Sequence, residues 1–271
     1  MIHVALAQLN SNDDAHHNLK KILELIDEAC LQDPKPDLII FPENSLFFRM
    51  NSAEKVEALP LDSGIWDVLK NKAKTLNIHL HLTTALLDTD QKIYNGSVLI
   101  RPDGKLELVY RKIHLFDIAL TGQKPIRESD VFQFGEKVHI FSIKGFKFGS
   151  SICYDIRFSE LYAHYAKEEV DVILVPSAFL VKTGEAHWHT LLKARAIESQ
   201  CYVLAPAQAG THVSSNGKSQ RETYGHSIVV GPWGEVIKEK VDQVGLISTE
   251  LLKSEIHRVR EQIPMKSHRR L

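Results

Sequence analysis

The chain has 271 residues, of which 44% are hydrophobic and 25% are charged, and its formal net charge is -1. This balance is typical of a globular protein with a sizeable core, and it gives no sign of nucleic-acid binding, because basic residues are not in excess. No apolar run is long enough to span a bilayer, and no basic leader precedes an apolar stretch near residue 1. We therefore expect neither membrane insertion nor secretion.

Cysteine content and linker content give two further expectations. Cys30, Cys153 and Cys201 are too few and too scattered for a disulfide framework, and no CxxC pair indicates zinc. A protein of the reducing cytoplasm fits this pattern. No Ser/Gly/Pro-rich linker divides the chain, which predicts a single domain over residues 1–271.

The first half of the chain alternates strand and helix patterns. A helical spacing of apolar residues follows the first strand, with Asn12 or Asp13 as its candidate cap, and residues 102–104 form a turn signal between two further strands. Other strands are predicted at 3–9, 37–43 and 79–87, and a second helix presents Ile65, Val68, Leu69, Ala73 and Leu76 on one face.

The second half repeats this order of elements without repeating the sequence. Strands are predicted at 146–154, 171–176, 202–206, 224–230 and 235–240, helices at 157–168 and 187–199, and a polar loop at 210–219. Many of these strands are near-continuous apolar stretches, as strands buried on both faces require. The chain therefore predicts an α/β fold in which two β-sheets lie face to face with helices outside each.

Three residues are candidates for chemistry. Cys153 lies where a strand of small residues meets a predicted helix, an elbow that presents the sulfur to a substrate, although a lone cysteine is also a common core filler. Glu43 ends an apolar strand, where it is either a general base or a solvated loop residue. Lys112 stands among apolar neighbours, and it is either a fixed positive charge for an oxyanion or a surface lysine on an edge strand.

The segments around these residues resemble, in order and spacing, the signature blocks of the nitrilase superfamily of carbon-nitrogen hydrolases. The blocks are FPEN around Glu43, YRKIHLF around Lys112 and CYDIRF around Cys153, and the likeness continues through 176–188 and 224–236. The resemblance implies a four-layer αββα sandwich, a homodimer or larger homo-oligomer, and no cofactor. His187 and His189 are two apart on a predicted helix and do not share a face, so we expect no metal site.

The resemblance also implies roles for site residues. Glu43 would take the Cys153 proton and later activate water, while Lys112 and the Tyr154 backbone N–H would stabilise the oxyanion. Glu128 would orient Lys112, with a plain loop carboxylate as the alternative. Arg157, Phe179 and Thr183 would line the substrate pocket, and Arg157 suits a carboxylate because a guanidinium donates two parallel hydrogen bonds. The alternative for Arg157 is a structural tie to Glu160 or Asp155.

The expected function follows from the Nit branch, which these blocks resemble within the superfamily. That resemblance implies an amidase that hydrolyses the terminal amide of a small 2-oxo carboxylate, deaminated glutathione first, through a cysteine thioester with release of ammonia. The runner-up is an omega-amidase acting on 2-oxoglutaramate or 2-oxosuccinamate. A catalytically silent binding protein on the same fold is the alternative of another class, although no member of the Glu43, Lys112 and Cys153 triad is missing.

Overall fold

The computed structural model describes residues 1–51, 54–119 and 125–270. The first half and one late strand build a seven-stranded sheet. Its strands are β1 (Ile2–Gln8), β2 (Leu38–Ile40), β3 (Leu59–Pro60), β4 (His79–Leu87), β5 (Ile93–Ile100), β6 (Leu106–Arg111) and β17 (Gly245–Leu251), and its helices are α1 (Ala15–Cys30) and α2 (Gly64–Leu76). The strand order is β17-β1-β2-β4-β5-β6, with β3 beside β4.

The second half builds a six-stranded sheet and the remaining elements. The sheet order is β16-β15-β12-β11-β10-β9, with β9 (Ile140–Ile143), β10 (Phe146–Ser150), β11 (Val172–Leu174), β12 (Tyr202–Ala205), β15 (Ser227–Val230) and β16 (Val236–Lys240). Two hairpins pair β7 (Asp117–Ile118) with β8 (Ile126–Arg127) and β13 (Ala209–Val213) with β14 (Gln220–Tyr224). The helices are α3 (Ser159–Lys167), α4 (Val181–Ser199), α5 (Lys253–Gln262) and α6 (Met265–His268), with 3-10 turns at Glu128–Asp130 and Cys153–Arg157.

Three apolar clusters show how these elements stack. Val4 and Leu6 of the first sheet meet Phe148 and Leu174 of the second in a central layer of buried side chains. A second cluster joins the other face of the first sheet to α1 and α2, and a third joins the other face of the second sheet to α3 and α4. The order is helix, sheet, sheet, helix, which confirms the αββα sandwich.

Parallel strand pairs bring the candidate site residues toward one region. β2 runs parallel to both β1 and β4, and β11 runs parallel to both β10 and β12. Carboxyl ends of parallel strands share one edge of a sheet, where open α/β sheets bind ligands. Glu43 follows the carboxyl end of β2, and Cys153 follows that of β10.

Several predicted boundaries were wrong in detail. The cap of α1 is Asp14, whose carboxylate accepts from the backbone N–H groups of His16 at 2.9 Å and His17 at 3.0 Å, and not Asn12 or Asp13. Val68 is 43% exposed, so it lies off the buried face of α2. The predicted strands 37–43 and 146–154 end at Ile40 and Ser150. Each segment leaves its sheet there, before it reaches Glu43 or Cys153.

Two further differences concern the second half. Helix α4 begins at Val181, six residues before the predicted start at 187. The helix predicted at 157–168 is present as α3, which begins two residues later because Arg157 still belongs to the 3-10 turn. The predicted polar loop at 210–219 includes most of β13 and the connection to β14. Polar residues on both faces of this hairpin hide its alternation. Within the described ranges, no helix is long and apolar enough to cross a membrane.

Candidate active site

Cys153 occupies a strained turn between β10 and α3. Its φ is 47°, in the left-handed region that side chains rarely adopt, and it opens the 3-10 turn that ends at Arg157. The Cys153 backbone N–H donates to the Pro176 carbonyl at 3.0 Å, which anchors the elbow to the segment after β11. As the second residue of the 3-10 turn, Tyr154 has no intrahelical acceptor for its own N–H.

Asp155 fastens this elbow to the segment that carries Lys112. The carboxylate is fully buried, and it accepts from the Ile152 backbone N–H and the Tyr110 hydroxyl, both at 2.9 Å. Its other oxygen accepts from the His114 backbone N–H at 2.9 Å and lies 2.7 Å from His114 Nδ1. Tyr110 and His114 flank Lys112 in sequence, so one carboxylate aligns the Cys153 turn with the lysine segment.

Lys112 is a buried cation held between two carboxylates. Only 1% of the residue is exposed, and Nζ lies 2.8 Å from Glu43 Oε1 and 2.8 Å from Glu128 Oε2. Burial lowers the pKa of Lys112, but the negative charges of Glu128 and Glu43 outweigh it, so this pKa lies well above its ordinary value. The ammonium is therefore a permanent positive charge.

Asn95 links the same two carboxylates. Its Nδ2 donates to Glu43 Oε1 at 2.8 Å and to Glu128 Oε1 at 2.9 Å. The backbone carbonyl of Asn95 accepts from the Lys112 backbone N–H at 2.8 Å. Gln208 holds Glu43 from the other side, because its Nε2 donates to the Glu43 carbonyl at 2.9 Å. Glu43 and Asn95 are 3% and 2% exposed, so the cluster is almost completely shielded from solvent.

The surroundings of the Cys153 thiol favour its protonated form. Burial and the negative charge of Glu43 raise the pKa of the thiol well above its ordinary value, although Lys112 and a hydrogen bond from the Ala178 backbone N–H oppose them. The start of the 3-10 turn therefore does not lower this pKa below its ordinary value. The Glu43 carboxylate is hydrogen-bonded to the thiol, where it could accept the thiol proton.

A pocket with a cavity volume of about 110 Å³ opens over these groups. Its wall includes every residue that the sequence predicts for the site: Glu43, Lys112, Glu128, Cys153, Tyr154, Arg157, Phe179 and Thr183. Further members of the wall include Asn44, Phe47, Arg49, Val56, Phe116, Arg127, Phe132, Leu180 and Arg221. Aromatic and apolar surface with a few converging charges is the usual character of a small-molecule site.

The predicted pocket residues have distinct surroundings. The Arg157 guanidinium lies 5.5 Å from the Phe179 ring centre and 5.7 Å from that of Tyr154, and its Nη1 lies 3.2 Å from His187 Nδ1. In the described part of the chain, no ion pair joins Arg157 to Glu160 or Asp155, so the structural tie considered for Arg157 is absent. Thr183 donates its hydroxyl to the Leu180 carbonyl at 3.1 Å, in the first turn of α4.

Sequence reasoning missed Asn95, Asp155, Arg49 and Arg221. Asn95 had a usable signal, because an amide in the apolar strand IYNGSVLI needs buried partners. Asp155 was weighed only as a partner for Arg157. Arg49 lies outside the predicted elements, and Arg221 follows a stretch that reads as a polar loop.

A histidine cluster lies outside the pocket wall. Glu239 Oε1 is hydrogen-bonded to His189 Nε2 at 2.7 Å and to His226 Nδ1 at 2.5 Å, and the three groups stand close enough to share a metal ion. Burial raises the pKa of Glu239, but the two hydrogen bonds outweigh it and leave this pKa below its ordinary value. The sequence had considered His189 with His187, whereas the fold pairs it with residues of β16 and the segment before β15.

Comparison with known proteins places this arrangement in a family. The carbon-nitrogen hydrolase profile matches residues 3–261. The chain is 36% identical to deaminated glutathione amidase of Dictyostelium discoideum, over 99% of this chain and 94% of that protein, and 37% identical to the Rattus norvegicus deaminated glutathione amidase, over 98% and 82%. It superposes on Saccharomyces cerevisiae Nit3, from branch 10 of the nitrilase superfamily, with a TM-score of 0.86, 33% identity and coverage of 100% and 97%. The chain therefore belongs to the carbon-nitrogen hydrolase family, in the Nit branch of the nitrilase superfamily, and it is an amidase.

Proposed function

We propose that this amidase hydrolyses an amide of a small 2-oxo carboxylate through a thioester on Cys153. The observation that carries the proposal is the contact set around Lys112. One permanent cation lies 2.8 Å from both Glu43 and Glu128 at the base of a pocket that also contains the Cys153 sulfur. Nucleophile, base and oxyanion charge therefore come from the chain itself.

The first half-reaction forms the thioester. Glu43 takes the thiol proton while the sulfur attacks the amide carbon, and the carbonyl oxygen becomes an oxyanion beside Lys112 and the Tyr154 N–H. The C–N bond then breaks, and Glu43 returns the proton to the departing amine. Glu128 positions the lysine, because it binds Nζ and also accepts from the Phe116 backbone N–H at 2.6 Å.

The second half-reaction returns the enzyme to its resting state. Glu43 takes a proton from water, and the hydroxyl attacks the thioester carbon. The C–S bond breaks, the acid leaves, and the proton held by Glu43 restores the thiol. One carboxylate thus acts as base and acid in turn, which requires that it stay close to the sulfur throughout.

Deaminated glutathione is the proposed substrate. The names of the relatives in Dictyostelium discoideum and Rattus norvegicus support this choice. In that compound the scissile amide joins a 2-oxo acyl group to cysteinylglycine, so the dipeptide leaves. The expectation that ammonia leaves applies to the runner-up, 2-oxoglutaramate, which has the same acyl group with an unsubstituted amide. 2-Oxosuccinamate is a shorter version of the runner-up.

Steady-state kinetics with both amides tests the proposal. We expect turnover of both, with the larger kcat/KM for deaminated glutathione, and an acyl adduct of 2-oxoglutarate mass on Cys153 after acid quenching. A larger kcat/KM for 2-oxoglutaramate would make the runner-up the function. Tight binding of both amides without turnover or adduct would favour a silent binding protein.

We propose a homodimer or larger assembly in the cytoplasm. Apolar side chains exposed on or near edge strand β16 support the assembly: Trp233 is 52% exposed, Ile237 is 37% exposed, and Ile197 of α4 is 50% exposed. The three unpaired cysteines support a reducing compartment. Light scattering coupled to gel filtration measures the assembly, and a monomer at all concentrations would contradict it.

A further inference from the structure

Arg221 has no carboxylate partner among the described residues. It lies on β14 and lines the same pocket as Cys153. Its Nη1 donates to the Arg49 carbonyl at 3.2 Å, and its guanidinium stands 4.9 Å from the ring centre of Phe48. Burial lowers the pKa of Arg221, and no residue of the described ranges forms an ion pair with it.

Such a cation needs a partner that the described residues do not supply. A guanidinium has five N–H donors, and only one bond to a described acceptor is found. The acidic groups that influence its pKa are Glu43, Glu128 and the Cys153 thiol, and both carboxylates already hold Lys112. A desolvated charge is costly unless it is paired, so an anion that enters the pocket gains from contact with Arg221.

Four arginines line the pocket, namely Arg49, Arg127, Arg157 and Arg221, and the last two have separate surroundings. Arg157 lies against Tyr154, Phe179 and His187, on the same 3-10 turn as the nucleophile. Arg221 comes from the β13–β14 hairpin and lies against Phe48. Two fixed forks in one pocket suit a substrate with two carboxylates.

We propose that Arg221 binds a second substrate carboxylate, the one on the leaving amine, while Arg157 binds the carboxylate of the 2-oxo acyl group. This inference rests on the proposed function. Deaminated glutathione has such a second carboxylate, on its glycine, and 2-oxoglutaramate has none. The pair of arginines thus selects a dicarboxylate amide over a primary amide with the same acyl group.

A purely structural role for Arg221 makes a different prediction. The hairpin already packs on Phe48 through His212, whose ring is stacked at 4.2 Å between centres, and Arg221 adds a bond to the adjacent carbonyl of Arg49. If that tie were its whole role, its loss would harm both amides alike. If Arg221 forms a subsite, its loss would weaken binding only of the amide that has the second carboxylate.

Kinetics of Arg221→Gln separates the two roles. KM for deaminated glutathione should rise at least about tenfold while kcat, and both constants for 2-oxoglutaramate, stay within about twofold. Arg221→Lys, which keeps the charge and loses the fork, should lie between wild type and Arg221→Gln, and it carries the test if Arg221→Gln does not fold. Arg258→Gln removes the same charge from exposed α5 and should match wild type. Equal losses on both amides, or no loss, would overturn the proposal.

Calorimetric binding keeps this test independent of turnover. In a Cys153→Ala background, Arg221→Gln should weaken binding of deaminated glutathione at least about tenfold and leave 2-oxoglutaramate within about twofold. If wild type turns over neither amide, the proposed function fails, yet this selective loss of affinity would still support the subsite. If wild type turns over both and the affinities respond equally to Arg221→Gln, only the subsite fails.

Discussion

The side-chain amide of Asn95 donates a hydrogen bond of 2.8 Å to Glu43, on the same oxygen that Lys112 Nζ contacts. The same Nδ2 reaches Glu128 at 2.9 Å. Two carboxylates that share one lysine repel each other, and Asn95 offsets this with a donor to each. The proposed base is therefore held by a neutral residue as well as by the triad cation.

Asn95→Ala should lower kcat by about 10- to 100-fold, because hydrogen bonds to charged groups contribute about 1.5 to 3 kcal/mol. Steady-state kinetics and thermal unfolding of the variant measure this loss separately from any change in stability. A normal kcat with a lower melting temperature would reduce Asn95 to a structural residue.

Cys153→Ala should abolish turnover and leave the fold intact, because only the sulfur can form the thioester. The matched control is Cys201→Ala, which truncates a fully buried thiol whose pKa burial raises to about 12. That control should keep its kcat and lose roughly 1 to 2 kcal/mol of unfolding free energy. Residual activity above a few per cent in Cys153→Ala would remove the nucleophile assignment.

Arg157→Lys should lower kcat/KM for a 2-oxo acid amide by at least about tenfold, or about 1.4 kcal/mol, mostly through KM. The charge remains, but the bidentate contact with the acyl carboxylate is lost. A neutral amide of similar size is the comparison substrate, and it should respond little. Equal losses on the two amides, accompanied by a lower melting temperature, would contradict the carboxylate-binding role.

Asp155→Asn should reduce both stability and kcat. The side-chain NH₂ of the new residue would face N–H and O–H groups that now donate to the carboxylate. Unpaired buried polar groups cost about 1 to 3 kcal/mol each, so we expect a clearly lower thermal midpoint. Lys112 and Cys153 would also lose their common anchor. Asp90→Asn, at an exposed turn, is the control and should resemble wild type. A stable Asp155→Asn enzyme with full kcat would show that the elbow holds without this carboxylate.

His81 should make the free energy of unfolding depend on pH. The ring is fully buried between the sheets, both nitrogens lack partners in the described part of the chain, and burial lowers its pKa from 6.5 to about 3. Below pH 6.5, His81 is protonated in the unfolded chain but stays neutral in the folded protein. The contribution of His81 to stability is therefore complete above pH 6.5 and is lost as the pH falls toward 3.

The effect of His81 approaches about 1.4 kcal/mol per pH unit within that window. His81→Leu should therefore flatten the loss of stability between pH 6.5 and pH 4.5. Urea unfolding of both proteins at several pH values measures the difference. Parallel pH curves for the two proteins would show that His81 is not responsible for acid sensitivity.

Apolar strand patterns predicted the two stacked sheets, and the resemblance of three blocks to the nitrilase superfamily singled out the candidate triad. Glu43 and Cys153 each follow a buried strand, and parallel pairing places each at the carboxyl edge of its own sheet. Asn95, Asp155 and Arg221 were not predicted because their roles depend on partners 33 to 172 residues away. The loop predicted at 210–219 covers most of β13, and residues 220–223 were assigned to no element, so nothing placed Arg221 at the pocket.

The raised pKa of the Cys153 thiol has a consequence for the life of the protein between turnovers. Peroxides and alkylating agents react with thiolates, and a buried thiol beside a carboxylate offers them very little of that form. In the proposed mechanism, the sulfur becomes reactive only when an electrophile occupies the pocket and Glu43 accepts the proton in the same step. The arrangement thus protects the sulfur from oxidative damage while no substrate is bound, and it confines the thiol's reactivity to molecules that the pocket admits.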